Sequence, residues 1–167
     1  MGYNYYSLGV NHYYNGDYGR AKDYLEQCIA IREEIYNKFH SILISPYQVI
    51  AIALEESGNY DACMKYYQQA KKIINHNFKE PSDMEGFNLD NIATTYRNMG
   101  KPDSALIYIK ASHKVLDEIL PAISYHRVVH NLSLGNIYYA NNKTEEGKKW
   151  LQKALDIGEQ LELEEDI

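Results

Sequence analysis

The sequence repeats itself at a shift of 42 residues along its whole length, without an insertion or a deletion. A period of roughly 20–50 residues is the signature of a repeat architecture, in which each unit buries its apolar face only against its neighbours. The chain is therefore expected to be an array of four similar units. The clearest column is a large apolar residue followed by a small one, which recurs as Leu8-Gly9, Ile50-Ala51, Ile92-Ala93 and Leu134-Gly135.

Each unit has the pattern of two helices joined by a tight turn. In the first unit, apolar or small residues recur with the i, i+3, i+4 and i+7 spacing of one helix face, and Gly16 follows where the chain must leave the helix. Glycine and asparagine adopt the left-handed conformation of such a turn at low cost. A second stripe of small and large residues starts at Ala21. We name the two predicted helices A and B.

The predicted fold class is all-α, a right-handed superhelical solenoid of four antiparallel helix hairpins. Residues 1–167 form one repeat domain, expected to be part of a longer protein, with units at about 2–43, 44–85, 86–127 and 128–167. The patterns predict helix A at about 3–15, 45–57, 84–99 and 122–141, and helix B at about 18–37, 60–77, 102–119 and 144–162.

Composition excludes several classes of function. The chain has 167 residues, 45% of them hydrophobic, and a net charge of −6, which offers no cationic surface to a nucleic acid. No apolar run approaches the roughly 20 residues that span a bilayer. We therefore expect no nucleic-acid or membrane partner and a cytoplasmic location. Two cysteines, Cys28 and Cys63, form neither a disulfide framework nor a zinc cluster.

No pattern in the sequence predicts catalysis or a cofactor. His126 and His130 have the i, i+4 spacing of a zinc pair, but Arg127 stands where metalloprotease chemistry needs a glutamate. Cys28 and Cys63 fall in columns otherwise filled by small residues, which favours burial over reactivity. We predict that the chain is not an enzyme and holds no metal or other cofactor.

The order of the recurring residue types within a unit resembles that of the tetratricopeptide repeat. Leu8-Gly9, the turn at Gly16, then Ala21, Leu25 and Cys28 resemble its consensus of a large residue, a small residue, a turn glycine and spaced small and large residues. The usual repeat has about 34 residues, so these units are longer. They are similar to the repeats of kinesin light chains and of bacterial peptide-sensing and signalling regulators. Gly147, where alanine is expected, is the clearest departure.

The resemblance implies a concave groove lined by the A helices, which binds a protein or a peptide and serves sensing or docking in a signalling or regulatory protein. On these helices the face opposite the packing stripe mixes aromatic, amide and charged residues, Asp90 among them. In longer-repeat relatives an asparagine at the place of Asn91 resembles those that hold a peptide's backbone amides. A chain with 17 tyrosines would also show some here by composition alone. The predicted groove residues are Tyr6, Tyr13, Phe87, Asn91, Thr94, Arg97, Asn136 and Tyr139.

A second hypothesis is a structural scaffold that acts through end-to-end self-association. Nothing in the sequence covers the last predicted B helix, whose apolar residues cannot all face the preceding helix. A homodimer through the terminal helices would bury that face. The residues concerned are Trp150, Leu151, Ala154, Leu155 and Leu161.

Overall fold

The computed structural model describes residues 2–165, with the side chains of residues 3 and 163–165 left out of the description. In this range the chain forms α-helices connected by short loops, with one 3₁₀ helix at Ser41–Leu43. None of the helices in this range combines the length and the apolar character that crossing a membrane requires. The α-helices are α1 (Gly2–Tyr14), α2 (Tyr18–Ile35), α3 (Ile44–Glu56), α4 (Tyr60–Asn77), α5 (Asp83–Asn98), α6 (Pro102–Ile119), α7 (Tyr125–Ala140) and α8 (Thr144–Glu165).

The all-α prediction of four helix hairpins is confirmed, with α1, α3, α5 and α7 as the A helices and α2, α4, α6 and α8 as the B helices. The predicted bounds hold to within a few residues. The largest difference at an A-helix start is in α7, which begins at Tyr125 instead of 122. Ser124 caps it, because its hydroxyl accepts a hydrogen bond from the Arg127 amide at 3.2 Å.

The turns between A and B helices have the conformation that the glycine column predicts. Gly16, Gly58 and Gly100 have φ angles of 75°, 76° and 70°, and Asn142, the asparagine in that column, has a φ of 58°. The left-handed backbone at these four positions lets the chain reverse direction within a few residues at each turn. Asp17 and Asn59 then cap the B helices that follow, by accepting from the amides of Arg20 and Ala62.

The helices group into two compact units, Met1–Glu80 and Pro81–Ile167. We call them unit 1, which contains α1–α4, and unit 2, which contains α5–α8. The hairpins α1–α2 and α3–α4 pack within unit 1, and α5–α6 and α7–α8 pack within unit 2. Each unit thus holds two repeats.

The repeat columns form the core of each unit. Ala21 and Leu25 in unit 1 and Ala105 and Ile109 in unit 2 are fully buried. Burial of a large apolar side chain contributes about 1.5–3 kcal/mol. These B-helix stripes, together with buried A-helix residues such as Ile50 and Leu134, therefore stabilise the hairpins. The two cysteines, Cys28 and Cys63, are also fully buried, as predicted from their columns. Burial raises the pKa of the Cys28 thiol, which suits a packing role.

Candidate functional site

In unit 1 the predicted recognition face lies where α1 meets α3. Tyr6 is half-buried, and the Arg32 guanidinium from α2 lies 5.2 Å from the centre of its ring. Burial raises the pKa of the Tyr6 hydroxyl, while the Arg32 charge and a hydrogen bond with Ser45 of α3 oppose that rise. Tyr6 is therefore already engaged by its own unit, and it offers only part of its surface to a ligand.

Tyr13 belongs to a patch of aromatic and acidic side chains at the other end of α1. Its ring lies 5.3 Å from that of Tyr14 and 6.1 Å from that of Tyr18. Burial raises the pKa of Tyr13, and the carboxylate of Glu56 on α3 raises it further. Tyr14 is 80% exposed. This end of unit 1 combines phenol rings with negative charge, which suits a partner with a basic or amphipathic side chain.

In unit 2 three predicted residues form one accessible line along α5. Phe87, Asn91 and Thr94 are half-buried and spaced i, i+4 and i+7, while the residues between them are mostly buried. The Phe87 ring lies 5.2 Å from that of His126 at the start of α7. The line therefore presents an aromatic ring, a carboxamide and a hydroxyl on one side of the helix.

This face is extended by three further predicted residues, which differ in their exposure and in their contacts within unit 2. They are Arg97, Asn136 and Tyr139. The Arg97 guanidinium donates to the Asn98 carboxamide oxygen at 3.3 and 3.0 Å and is half-buried. Asn136 on α7 is exposed. Tyr139 is 37% exposed, but one edge of its ring occupies the space where Gly147 of α8 has no side chain. Both predicted α7 residues are thus exposed, and Tyr139 also packs against α8.

A buried polar cluster in unit 2 was missed by the sequence patterns. Asp90, which was expected on the recognition face, is 6% exposed and accepts a hydrogen bond from Nδ1 of His130 at 2.6 Å. Nε2 of His130 lies 3.3 Å from Nδ1 of His113 on α6. The placement of Asp90 was wrong because its carboxylate turns toward α7, where His130 is buried at 1% exposure. The sequence contains one indication of this cluster. Asn88 and His130 occupy the same position in successive repeats, and both are polar.

The two histidines of the zinc alternative have separate partners. His126 is exposed and packs beside Phe87, whereas His130 points into the cluster with Asp90 and His113. The i, i+4 spacing therefore does not bring their rings to one point. Among the described residues there is no group of three or more histidine, cysteine, aspartate or glutamate side chains placed to hold a metal ion.

His113 should make the stability of the chain depend on pH. Burial lowers its pKa below 6.5, Asp117 opposes this, and His130, Lys153 and Arg127 lower it further. The unfolded chain then takes up the proton first, so the unfolding free energy should fall as the pH drops below about 6.5. Urea titrations across this range measure the slope. A His113→Gln variant should give a flatter profile, and an unchanged slope would contradict the assignment.

Two family profiles of the tetratricopeptide repeat match the chain, over residues 3–76 and 132–163. The first covers α1–α4 almost completely, and the second covers most of α7 and α8. No curated protein sequence matches the chain at a significant level.

Several solved structures share the fold of nearly the whole chain. BtubC (BKLC) from P. vanneervenii is 14% identical with a TM-score of 0.82, over 95% of this chain and 63% of that protein. The nearly identical TPR-like repeats of a Podosopora anserina protein described as a kinesin light chain are 18% identical with a TM-score of 0.71, over 94% of this chain and 74% of the other. MamA is 15% identical with a TM-score of 0.64, over 95% and 79% of the two chains. At these identities the likeness concerns the fold, and this chain spans less than two thirds of BtubC.

Proposed function

This chain belongs to the tetratricopeptide repeat family, and we propose that it is a recognition module that holds a protein or peptide segment against the accessible faces of its A helices. Repeats of this family commonly serve protein interaction or scaffolding. The finer part of the proposal is a docking or sensing role in which the ligand contacts α5 and α7 in unit 2 and α1 and α3 in unit 1.

The observation that carries the proposal is the line of Phe87, Asn91 and Thr94 along α5. These side chains stay accessible although the positions between them, 88–90 and 92–93, are buried by packing. A carboxamide can donate to and accept from a peptide backbone at once, and it does so without selecting a particular ligand side chain. A neighbouring aromatic ring can anchor an apolar or aromatic side chain.

The charges on the two units indicate a ligand of mixed charge. In unit 1 the patch around Tyr13 has the carboxylates of Glu55 and Glu56 nearby, which favour a basic residue of the ligand. In unit 2 Arg97 favours an acidic residue. We therefore expect a ligand segment of mixed charge that also carries an apolar anchor.

Substituting Asn91 and Arg97 tests this surface. With the tagged chain as bait, the double variant Asn91→Ala and Arg97→Ala should lose partners captured by the native chain, because each contact is worth about 1–3 kcal/mol when it is central. Once a partner is identified, titration calorimetry with each single variant measures the two contributions. Thermal unfolding should change little, since both side chains lie at the surface of α5.

A matched control is the pair Lys110→Ala and Lys114→Ala on the exposed side of α6. It removes two polar side chains from a B helix and should leave capture unchanged. Equal losses in both double variants, or no loss in either, would exclude the α5 face as the binding surface.

The scaffold alternative is favoured by one observation on α7 and α8. Leu132 and Leu155 are 42% and 54% exposed beside a cavity of about 430 Å³ that Val128 and Leu151 also line. A second copy of the chain could cover this apolar surface. The capture experiment separates the two proposals when an untagged copy is added. Retention of that copy by native and variant baits alike would support self-association.

A further inference from the structure

Unit 1 contains a cleft on its B-helix side that the proposed A-helix surface does not use. It has a volume of about 490 Å³ and is lined by residues of α2 and α4 and by one residue of α3. Its wall combines two carboxylates with two phenol rings. We call it the unit 1 cleft, and its principal lining residues are Glu26, Ile29, Glu33, Tyr47, Tyr66 and Gln69.

The two carboxylates of the unit 1 cleft have different partners. Glu26 accepts hydrogen bonds from Tyr66 at 2.5 Å and from Lys22 at 2.9 Å. Burial would raise the pKa of Glu26, but these two bonds and the Lys22 charge outweigh it and lower the pKa. Glu33 is exposed and accepts from the Tyr47 hydroxyl at 3.3 Å. Among the described residues, Glu33 forms no ion pair with a lysine, arginine or histidine, unlike Glu26 with Lys22.

Both phenols stay protonated near neutral pH, and both residues line the cleft. Burial raises the pKa of Tyr47 to about 12, with the Glu33 charge adding to the rise. Burial and the bond to Glu26 also raise the pKa of Tyr66. The two rings lie 6.1 Å apart with their planes at 44°. Neutral aromatic faces beside a carboxylate attract an organic cation through the ring quadrupole and the full charge together.

An equivalent cleft in unit 2 shows which groups these positions hold. Two repeats further along the chain, Glu33 corresponds to Asp117 and Tyr66 corresponds to Trp150. Both residues line a smaller cavity of about 340 Å³. There the Arg127 guanidinium donates to Asp117 at 2.8 Å, and the Lys153 ammonium lies 4.0 Å from the centre of the Trp150 ring. In unit 2 the acid and the aromatic ring are therefore each matched by a cation from the chain itself.

Unit 1 lacks both of these internal cations. The residue that corresponds to Arg127 is Leu43, and the one that corresponds to Lys153 is Gln69. In addition, Tyr47 stands where unit 2 has Asn131, so the unit 1 cleft has a second aromatic ring. Lys65 of α4 also lines the cleft, whereas its sequence equivalent Lys149 does not line the cavity of unit 2. Within the part of the chain that the structure describes, the ion pair of the unit 1 cleft is the one between Lys22 and Glu26, and Lys65 forms none with Glu33.

We propose that the unit 1 cleft binds an arginine side chain of a partner polypeptide, which supplies from outside the cation that unit 2 supplies from within. The guanidinium pairs with Glu33 and packs on the rings of Tyr47 and Tyr66. Arginine fits better than lysine because its planar group can bind a carboxylate through two nitrogens and also stack on an aromatic ring. The site is built from the B helices α2 and α4 together with Tyr47 of α3, and it shares no residue with the A-helix surface proposed above.

The test uses N-acetyl-arginine amide as the probe and NMR chemical shifts of the isotope-labelled chain as the readout. N-acetyl-arginine amide should shift the resonances around Glu33, Tyr47 and Tyr66 in a saturable way. The citrulline analogue, which has nearly the same shape but no charge, should not. Glu33→Gln should weaken binding about tenfold, as expected for the loss of a charged hydrogen-bond partner.

Glu34→Gln is the matched control, because it removes the same charge one residue further along α2 on an exposed side chain outside the cleft. It should leave the affinity within about twofold of native. Gln69→Lys introduces into the cleft the lysine that unit 2 has at this repeat position, and this variant should abolish binding of the probe. Equal binding of the citrulline analogue, or equal effects of the Glu33 and Glu34 variants, would overturn the proposal. So would shifts confined to residues outside the cleft.

Discussion

Replacing Asp90 by alanine should lower the unfolding free energy of the chain by about 3–5 kcal/mol, because it breaks a buried pair and leaves His130 without its acceptor. The His130 side chain is 0% exposed and the Asp90 side chain 9%, so water cannot easily replace the lost partner. Urea unfolding followed by circular dichroism measures the change.

Asp90→Asn is the matched control for this prediction. Its carboxamide oxygen can still accept from Nδ1 of His130, although it carries no charge. We expect it to recover a large part of the stability that alanine loses. If both variants were as stable as the native chain, the cluster of Asp90, His113 and His130 would not contribute to folding.

Replacing Gly135 by leucine should cost about 3 kcal/mol by overpacking the contact between α7 and α8. A Cβ atom at this position would lie 2.5 Å from Cδ2 and 2.6 Å from Cγ of Leu151, and 3.2 Å from the carbonyl oxygen of Gly147. Leu151 could rotate away from a single added carbon, but the branched leucine side chain needs more room than the two helices leave. Thermal and urea unfolding measure the loss.

Gly158→Leu provides the comparison within the same unit. A Cβ atom at Gly158 meets nothing within 4 Å, and leucine forms helices better than glycine. This variant should be as stable as the native chain or more stable by up to about 1 kcal/mol. Similar losses at both positions would show that the effect does not come from the close approach of α7 and α8.

The repeat period predicted most of the fold because each column has a local physical cause. Turn residues such as Gly58 need a left-handed backbone, and stripes such as Ala105 and Ile109 need a helix on which to face the core. Those requirements act within a few residues and can be read from spacing. Spacing alone did not explain Gly147, which stands where alanine is expected. The Tyr139 ring fills the place of its missing side chain, with its Cδ2 atom 2.7 Å from an added Cβ.

The polar groups could not be placed in the same way, because their partners lie far apart in the sequence. Asp90 and His130 are 40 residues apart, and the direction of each side chain depends on how α5 packs against α7. Helix periodicity assigns a residue to a face but does not show whether the next helix covers that face. For the same reason Tyr6 was predicted as a groove residue from its helix face, and the pattern did not show that the Arg32 guanidinium lies over its ring. The predicted set of groove residues as a whole stays a prediction.

The position of Trp150 makes the cooperativity of folding a measurable quantity in the unmodified chain. It is the single tryptophan of the sequence and lies in unit 2, with its ring centre 4.8 Å from that of His113. Its fluorescence therefore reports on the packing of unit 2, whereas far-ultraviolet dichroism averages over helices of both units. In repeat proteins the coupling between neighbouring repeats decides whether they unfold together or in sequence. The offset between the fluorescence and dichroism midpoints is a direct measure of that coupling, and it requires no introduced label.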